Sequence, residues 1–315
     1  MTRVYSLSEI EAVLPNIDIV KEIGDGFVAY SEGKVDVPPV GELLFPENAG
    51  EMHIKYGAIR GDDVFVVKVA TGFFHNPRIG LPPFGGCMLV FSQKTGMVDC
   101  VLLEEGELTN HRTAAAGAVC AQHLAPRGLE YIGIVGSGVQ ARMQADYLRR
   151  VTDCRRLYLW ARDANSANKA AEDITAMGFE VVISQSLDQL CKHARLIVTT
   201  TPSEHPLLTA EMIRPGTHIT AMGSDTPDKN EIAPDVLAMA DVVVSDSLKQ
   251  SHSRGEVFQA RRAKSIADDK PLELGSVIAD PTTGRCSADQ ITFVDLTGVG
   301  VQDIAIAKAV VNELR

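Results

Sequence analysis

The chain has 315 residues, of which 45% are hydrophobic and 23% charged, and its formal net charge is −11. That length suits one large or two medium domains, and the acidic balance argues against a nucleic-acid partner, which needs a basic footprint. No run of 18 apolar residues occurs and the first residues hold no apolar signal core, so a cytoplasmic protein without a membrane partner is expected.

In chain order, a short strand comes first, and Ser6 or Ser8 can cap a helix carrying Ile10, Val13 and Leu14. A second helix is expected over 17–30. Strands follow at 51–56 and 64–69, with Arg60 to Asp63 as the turn, and again at 88–91 and 98–103. Thr109 is the expected N-cap of an alanine-rich helix. From Tyr131 onward strands and helices alternate. Strands are expected at 156–160, 180–183, 196–200, 217–222 and 242–245, and helices at 165–177, 187–193 and 230–240, with a last helix at 303–314. That rhythm means a doubly wound parallel sheet. The fold class is therefore α/β: a doubly wound sheet over 117–300, plus a smaller α+β domain over 1–116 completed by 301–315. Six cysteines without C-x-x-C pairing read as free thiols, and the eight histidines show no ligand spacing, so no metal is expected.

The motif at the centre of the chain is Gly136-Ser137-Gly138-Val139-Gln140-Ala141. It follows an apolar strand and opens an amphipathic helix. This is the dinucleotide fingerprint, in which glycines let the backbone approach a pyrophosphate at the helix N-terminus. The next strand ends Trp160-Ala161-Arg162-Asp163. No acid stands directly at the strand end, where NAD-binding folds place one for the ribose, and Arg162 can meet a 2′-phosphate. NADP is favoured over NAD on this pattern. Asp163 could be a displaced ribose acid but fits better as the cap of the next helix, and Arg162 as a solvated cation is the other alternative.

Ligands of open α/β sheets sit beyond the carboxyl ends of the strands. Thr200 and Thr201 end one strand, and Met222, Gly223 and Asp225 follow another. A carboxyl at Asp225 could move a proton while hydride moves at the adjacent carbon, although the local pattern alone favours a turn or cap aspartate. Lys68 lies at the end of an apolar run, which is costly unless its charge is paired or used; a lysine snorkelling to water is the other reading. Arg112 falls in the first turn of its expected helix, where a cation opposes the dipole unless an anion is near. That anion is either a ligand or a carboxylate such as Glu104 or Glu105.

These residues carry a resemblance to the ornithine cyclodeaminase/mu-crystallin family, over nearly the whole chain. The matching stretches are those around Lys68, Arg112, Gly136 to Ala141, Met222 to Glu231 and Asp295 to Asp303. The resemblance implies a homodimer with a Rossmann domain, its interface on the second domain. It implies that Lys68 and Arg112 hold a substrate α-carboxylate and that Asp225 is the acid or base at nitrogen. Two departures bear on the substrate. The stretch Val37-Pro38-Pro39-Val40 lacks the arginine that family members often carry there. Lys55 stands where ornithine cyclodeaminases place a glutamate for the distal amino group, and a lysine would repel that ammonium. It could instead bind a carboxylate, unless it is an outward-facing strand lysine.

The expected activity is NAD(P)H-dependent reduction of the C=N bond of a small α-imino acid, cyclic or open-chain. An ornithine cyclodeaminase, an amino-acid dehydrogenase and a non-catalytic binder of NADPH and a small ligand are the rivals.

Overall fold

The computed structural model describes residues 2–315. The first unit runs up to Arg112 and resumes at Val299. It opens with β1 (Arg3–Tyr5), α1 (Leu7–Val13) and α2 (Ile19–Ser31). Ser6 and Glu9 form a reciprocal capping box on α1, and Asp18 caps α2 by accepting from the Lys21 amide at 3.1 Å. The strands are β2 (Val35–Asp36), β3 (Gly41–Phe45), β4 (Gly50–Ile59), β5 (Val64–Phe73), β6 (Phe84–Ser92) and β7 (Val98–Leu102). They lie in the order β1-β7-β6-β5-β4-β2, with β3 pairing β4 off this path. From β4 to β7 the sheet is an antiparallel meander, and only β1 joins in parallel. Lys68 sits in the middle of β5, not at its end. It shares a face with buried Val64 and Val66, as the two-residue period of a strand requires.

Helix α3 (Glu107–Leu124) begins two residues before the expected cap at Thr109. The Glu104 carboxylate accepts from the Leu108 amide at 3.0 Å and so does the capping. Arg112 therefore lies beyond the first turn, and the dipole argument for it loses its force.

The second unit spans residues 113–298. Its strands and helices alternate as β8 (Ile132–Val135), α4 (Val139–Leu148), β9 (Arg156–Trp160), α5 (Ala164–Ala176), β10 (Glu180–Ile183), α6 (Leu187–His193), β11 (Leu196–Thr199), β12 (His218–Ala221), α7 (Pro234–Met239), β13 (Val242–Ser245), α8 (Glu256–Arg262), β14 (Leu272–Glu273), α9 (Leu274–Ala279) and β15 (Thr292–Asp295). All pairings are parallel, in the order β10-β9-β8-β11-β12-β15-β13-β14. Strand order reverses at β8, and the crevice between β8 and β11 is where a doubly wound sheet takes its ligand.

Two features differ from the sequence reading. Strand β15 enters between β12 and β13, although it follows both in sequence. The helix expected over 230–240 begins only at Pro234, because Glu231 to Ala233 run extended beside Leu207 and Leu208. The Glu231 carbonyl accepts from both of their amides. Ala233 is also held out of the helical region by the following proline. Finally α10 (Gly300–Leu314) returns to the first unit and packs on α2 and across β4. It is buried from Gly300 to Ala307, apolar nearly all round, as a helix enclosed on several sides must be. No helix among the described residues is long and apolar enough to cross a membrane.

Phe293, fully buried in β15, tests the sheet order. Phe293→Ala should cost about 3–5 kcal/mol, read by urea unfolding with the fluorescence of Trp160, the single tryptophan.

Candidate active site

The dinucleotide turn is built from the strand end upward. Gly136 has φ +125°, and a Cβ there would lie 2.4 Å from Thr200 Oγ1, so only glycine fits. Gly138 is the N-cap of α4 and makes no side-chain cap hydrogen bond; a helix N-terminus of this kind suits an anion. Arg142 fastens the turn: its guanidinium donates to the carbonyls of Ser137 and Gly138 at 2.6 and 3.0 Å and to Asp173 on α5 at 2.6 Å. A cavity of about 300 Å³ opens above, walled by Gly136 to Gly138, Trp160 to Asp163 and Thr200 to Ser203. Val139 and Gln140 follow in the first turn of α4. Asp163 caps α5, accepting from the Ser166 amide at 2.7 Å, while Arg162 is exposed at the rim.

Across the reversal point, Met222 turns inward, where its sulfur accepts from Gln144 of α4. Gly223 packs so closely that a Cβ would come within 2.0 Å of the Thr201 carbonyl. Asp225 follows in the loop, half exposed, and ion-pairs with Lys229 at 2.6 Å. An exposed pair of this kind is worth about 0–1 kcal/mol. The N-cap of α7 is Ala233, so Asp225 does not cap that helix.

Beneath this loop lie two buried carboxyl groups that the sequence reading gave no role. Glu231 accepts from Thr199 Oγ1, the Thr201 amide and hydroxyl, and the Gly223 amide, all within 2.8 Å. Glu256 accepts from Ser224 Oγ at 2.5 Å and from the amides of Glu231 and Ile232. Burial pushes the Glu256 carboxyl up to about 7, and the neighbouring Glu231 adds to the shift. Burial likewise raises Glu231 above the usual carboxylate range.

The first unit gathers the predicted cations around one acid. Lys68 is 2% exposed, and its Nζ donates to Asp303 Oδ1 at 2.8 Å and to Thr109 Oγ1 at 3.3 Å. The Arg112 Nε lies 3.3 Å from the same Asp303 oxygen, and its Nη1 donates to Gln302 at 2.8 Å. The counter-charge of Arg112 is thus Asp303, on α10, and neither Glu104 nor Glu105. Lys55 of β4 stands directly opposite Lys68 in the register and is half buried, so it does not face outward to solvent. Burial alone would raise the Asp303 carboxyl; the charges of Lys68, Arg112 and Lys55 more than offset that and hold it below the usual range. Burial draws the Lys68 ammonium down and pushes the Glu104 carboxyl up. Asp303 Oδ2 has no hydrogen-bond partner. Asp303 closes the 295–303 stretch that carries the family resemblance, and an acid in the first turn of a largely apolar helix was its other sequence signal.

The profile of the Ornithine cyclodeaminase/mu-crystallin family matches residues 1–315. The chain belongs to that family. It is 42% identical over 309 residues to an uncharacterised cyclodeaminase of Sinorhizobium fredii, covering 97% of this chain and 93% of that one. With the iminosuccinate reductase of Paracoccus denitrificans it shares 35% identity over 272 residues, 84% of this chain and 83% of the other. The solved structure of that reductase with NAD+ superposes with a TM-score of 0.91, at 32% identity over 99% of this chain and 96% of that one. An archaeal alanine dehydrogenase dimer with bound NAD gives 0.89, at 30% identity over 99% and 95%.

A pH dependence follows from Glu256. Its folded value of about 7 lies above the ordinary 4.5. The raised value contributes stability that is fully present below the unfolded value and lost as pH rises through the folded one. Glu256→Gln removes that contribution, so its Tm should fall less than the parent's between about pH 5 and about pH 8, by calorimetry.

Proposed function

We propose that this protein is an NAD(P)H-dependent reductase of a small α-imino acid, delivering hydride from the nicotinamide to the C=N carbon. The observation that carries this reading is the buried meeting of Lys68 and Arg112 on one oxygen of Asp303, with Lys55 opposite Lys68 on the neighbouring strand. Two buried cations that share one carboxylate oxygen offer a site where a substrate carboxylate can be received. Lys68 and Arg112 take that carboxylate. Asp225 donates the proton to the imine nitrogen as hydride arrives, a general-acid role open to a half-exposed carboxyl.

Lys55 makes the site hostile to the distal ammonium of ornithine and favours a side chain that is neutral or carries a second carboxylate. Iminosuccinate, Δ1-pyrroline-2-carboxylate and Δ1-piperideine-2-carboxylate meet that condition. The likeness to iminosuccinate reductase supports the first, and the likeness to alanine dehydrogenase supports amino-acid oxidation as the reverse direction.

NADP is the preferred cofactor in this reading. Asp163 is engaged as a helix cap and Arg162 stands at the cavity rim, where a 2′-phosphate would meet it. The NAD-bound relatives argue for the other choice. A homodimer is proposed from the first unit, where Leu43 and Leu44 of β3 are both about half exposed although they point to opposite faces, and Phe74 and Phe84 are exposed as well. The alanine dehydrogenase neighbour is a dimer.

The test is a panel of imino acids offered with NADPH and with NADH, alongside ornithine with catalytic NAD. Oxidation of reduced cofactor by an imino acid is expected, with NADPH the better donor. Ammonia release from ornithine would favour the cyclodeaminase, and cofactor binding without turnover on either panel would leave a binding protein. Asp225→Asn should keep cofactor affinity and lose about 10²- to 10⁴-fold in kcat; an active variant would remove the proton assignment.

A further inference from the structure

Glu231 and Glu256 are buried, at 0% and 1% exposure, and their donors are hydroxyls and backbone amides of neighbouring segments. They are the end of β11 and its loop (Thr199, Thr201), the loop after β12 (Gly223, Ser224) and the 231–232 segment. These are loops at the carboxyl ends of the strands, the side from which such sheets bind ligands. Each Glu231 oxygen serves two donors: Oε1 the Thr201 amide and hydroxyl, and Oε2 the Thr199 hydroxyl and the Gly223 amide. One carboxylate thus bonds the β11 loop and the β12 loop to each other. Gly223 is shaped to this contact, since a Cβ there would lie 2.6 Å from Glu231 Oε2. Glu256 then holds Ser224, which is 1% exposed, one residue before the half-exposed Asp225.

A buried acid costs free energy unless it is well hydrogen-bonded. Two such acids stacked beneath ligand loops do more than fill space: they force amides and hydroxyls of separate loops onto common acceptors. We propose that Glu231 and Glu256 are positioning residues. Glu231 fixes the 199–201 and 222–223 loops against one another so that the wall of the cofactor cavity formed by Thr200 and Thr201 keeps its shape. Glu256 fixes Ser224 so that Asp225 projects from an immobile base. The second half rests on the reading of Asp225 as proton donor; the first rests only on a nicotinamide cofactor in the cavity.

Glu231→Gln sets an amide NH2 against the N–H of Thr201 or Gly223, which frees one of the two loops. Cofactor Kd, read by quenching of Trp160 at the cavity wall, should rise by about tenfold or more. Thr199→Val removes one donor without touching the cavity, and keeps the test available if the first variant does not fold; it should weaken cofactor binding severalfold. Ser224→Ala should leave cofactor Kd within about twofold, lower kcat about tenfold and enlarge the kinetic isotope effect with reduced cofactor deuterated at C4, because hydride transfer becomes the slower step. A loss of packing alone would lower Tm without this split. Folded Glu231→Gln or Thr199→Val protein with parental cofactor Kd would overturn the brace, and Ser224→Ala with parental kcat and isotope effect would overturn its action on Asp225. If the parent protein reduces no imino acid, the functional reading and the action of Glu256 on Asp225 fail together, while the cofactor titration still decides the Glu231 brace.

Discussion

The interaction on which the first unit depends is the buried meeting of Lys68, Arg112 and Asp303. It joins β5, α3 and α10, three elements far apart in the chain, through one oxygen of one carboxylate. Removing a single member of such a group leaves an uncompensated charge in the interior, which costs about 3–5 kcal/mol. The C-terminal helix is therefore bound to the N-terminal sheet by charge as well as by its apolar faces. Lys55, opposite Lys68 on β4, adds its charge to the field that holds the Asp303 carboxyl below the usual range.

The second unit solves a different problem in the opposite way. Its sheet is ordinary in sequence terms, with strands apolar on both faces and helices between them. Its ligand side, however, is organised by buried acids rather than buried cations. Glu231 and Glu256 collect the amides and hydroxyls of neighbouring loops. Asp246 does the same for Thr297 and Gly298, and Asp295 accepts from the Val257 amide at the start of α8. Carboxylates directed at backbone donors tie these loops together, and Arg162 is the one cation lining the cavity among the described residues. Arg142 plays the complementary part, holding carbonyls of the glycine turn.

Local patterns were readable from the sequence. The strand, glycine turn and helix at 132–148 are a contiguous signal, and the alternation of elements after it fixed the parallel class. Asp163 could be assigned as a cap because its partner, Ser166, lies three residues on. What escaped was long-range. Asp303 meets Lys68 across 235 positions, and nothing near either residue announces the other. Glu231 looked like the start of a helix because its neighbours have helical character, but its carbonyl and carboxylate are both taken by partners in other loops. Strand β15 is four residues long, and its place is set by β12 and β13 on either side. Lys55 was ambiguous until the pairing of β4 with β5 put it opposite Lys68.

The claim that ties these observations to function is that Lys68 and Arg112 receive the carboxylate of the substrate while remaining paired with Asp303. A crystal structure with oxidised cofactor and the amino-acid product would test it most directly. The account predicts the product carboxylate within hydrogen-bond distance of Lys68 Nζ and the Arg112 guanidinium, with Asp303 still in contact with both. A product carboxylate bound elsewhere, with Lys68 and Arg112 touching only Asp303, Gln302 and Thr109, would contradict it.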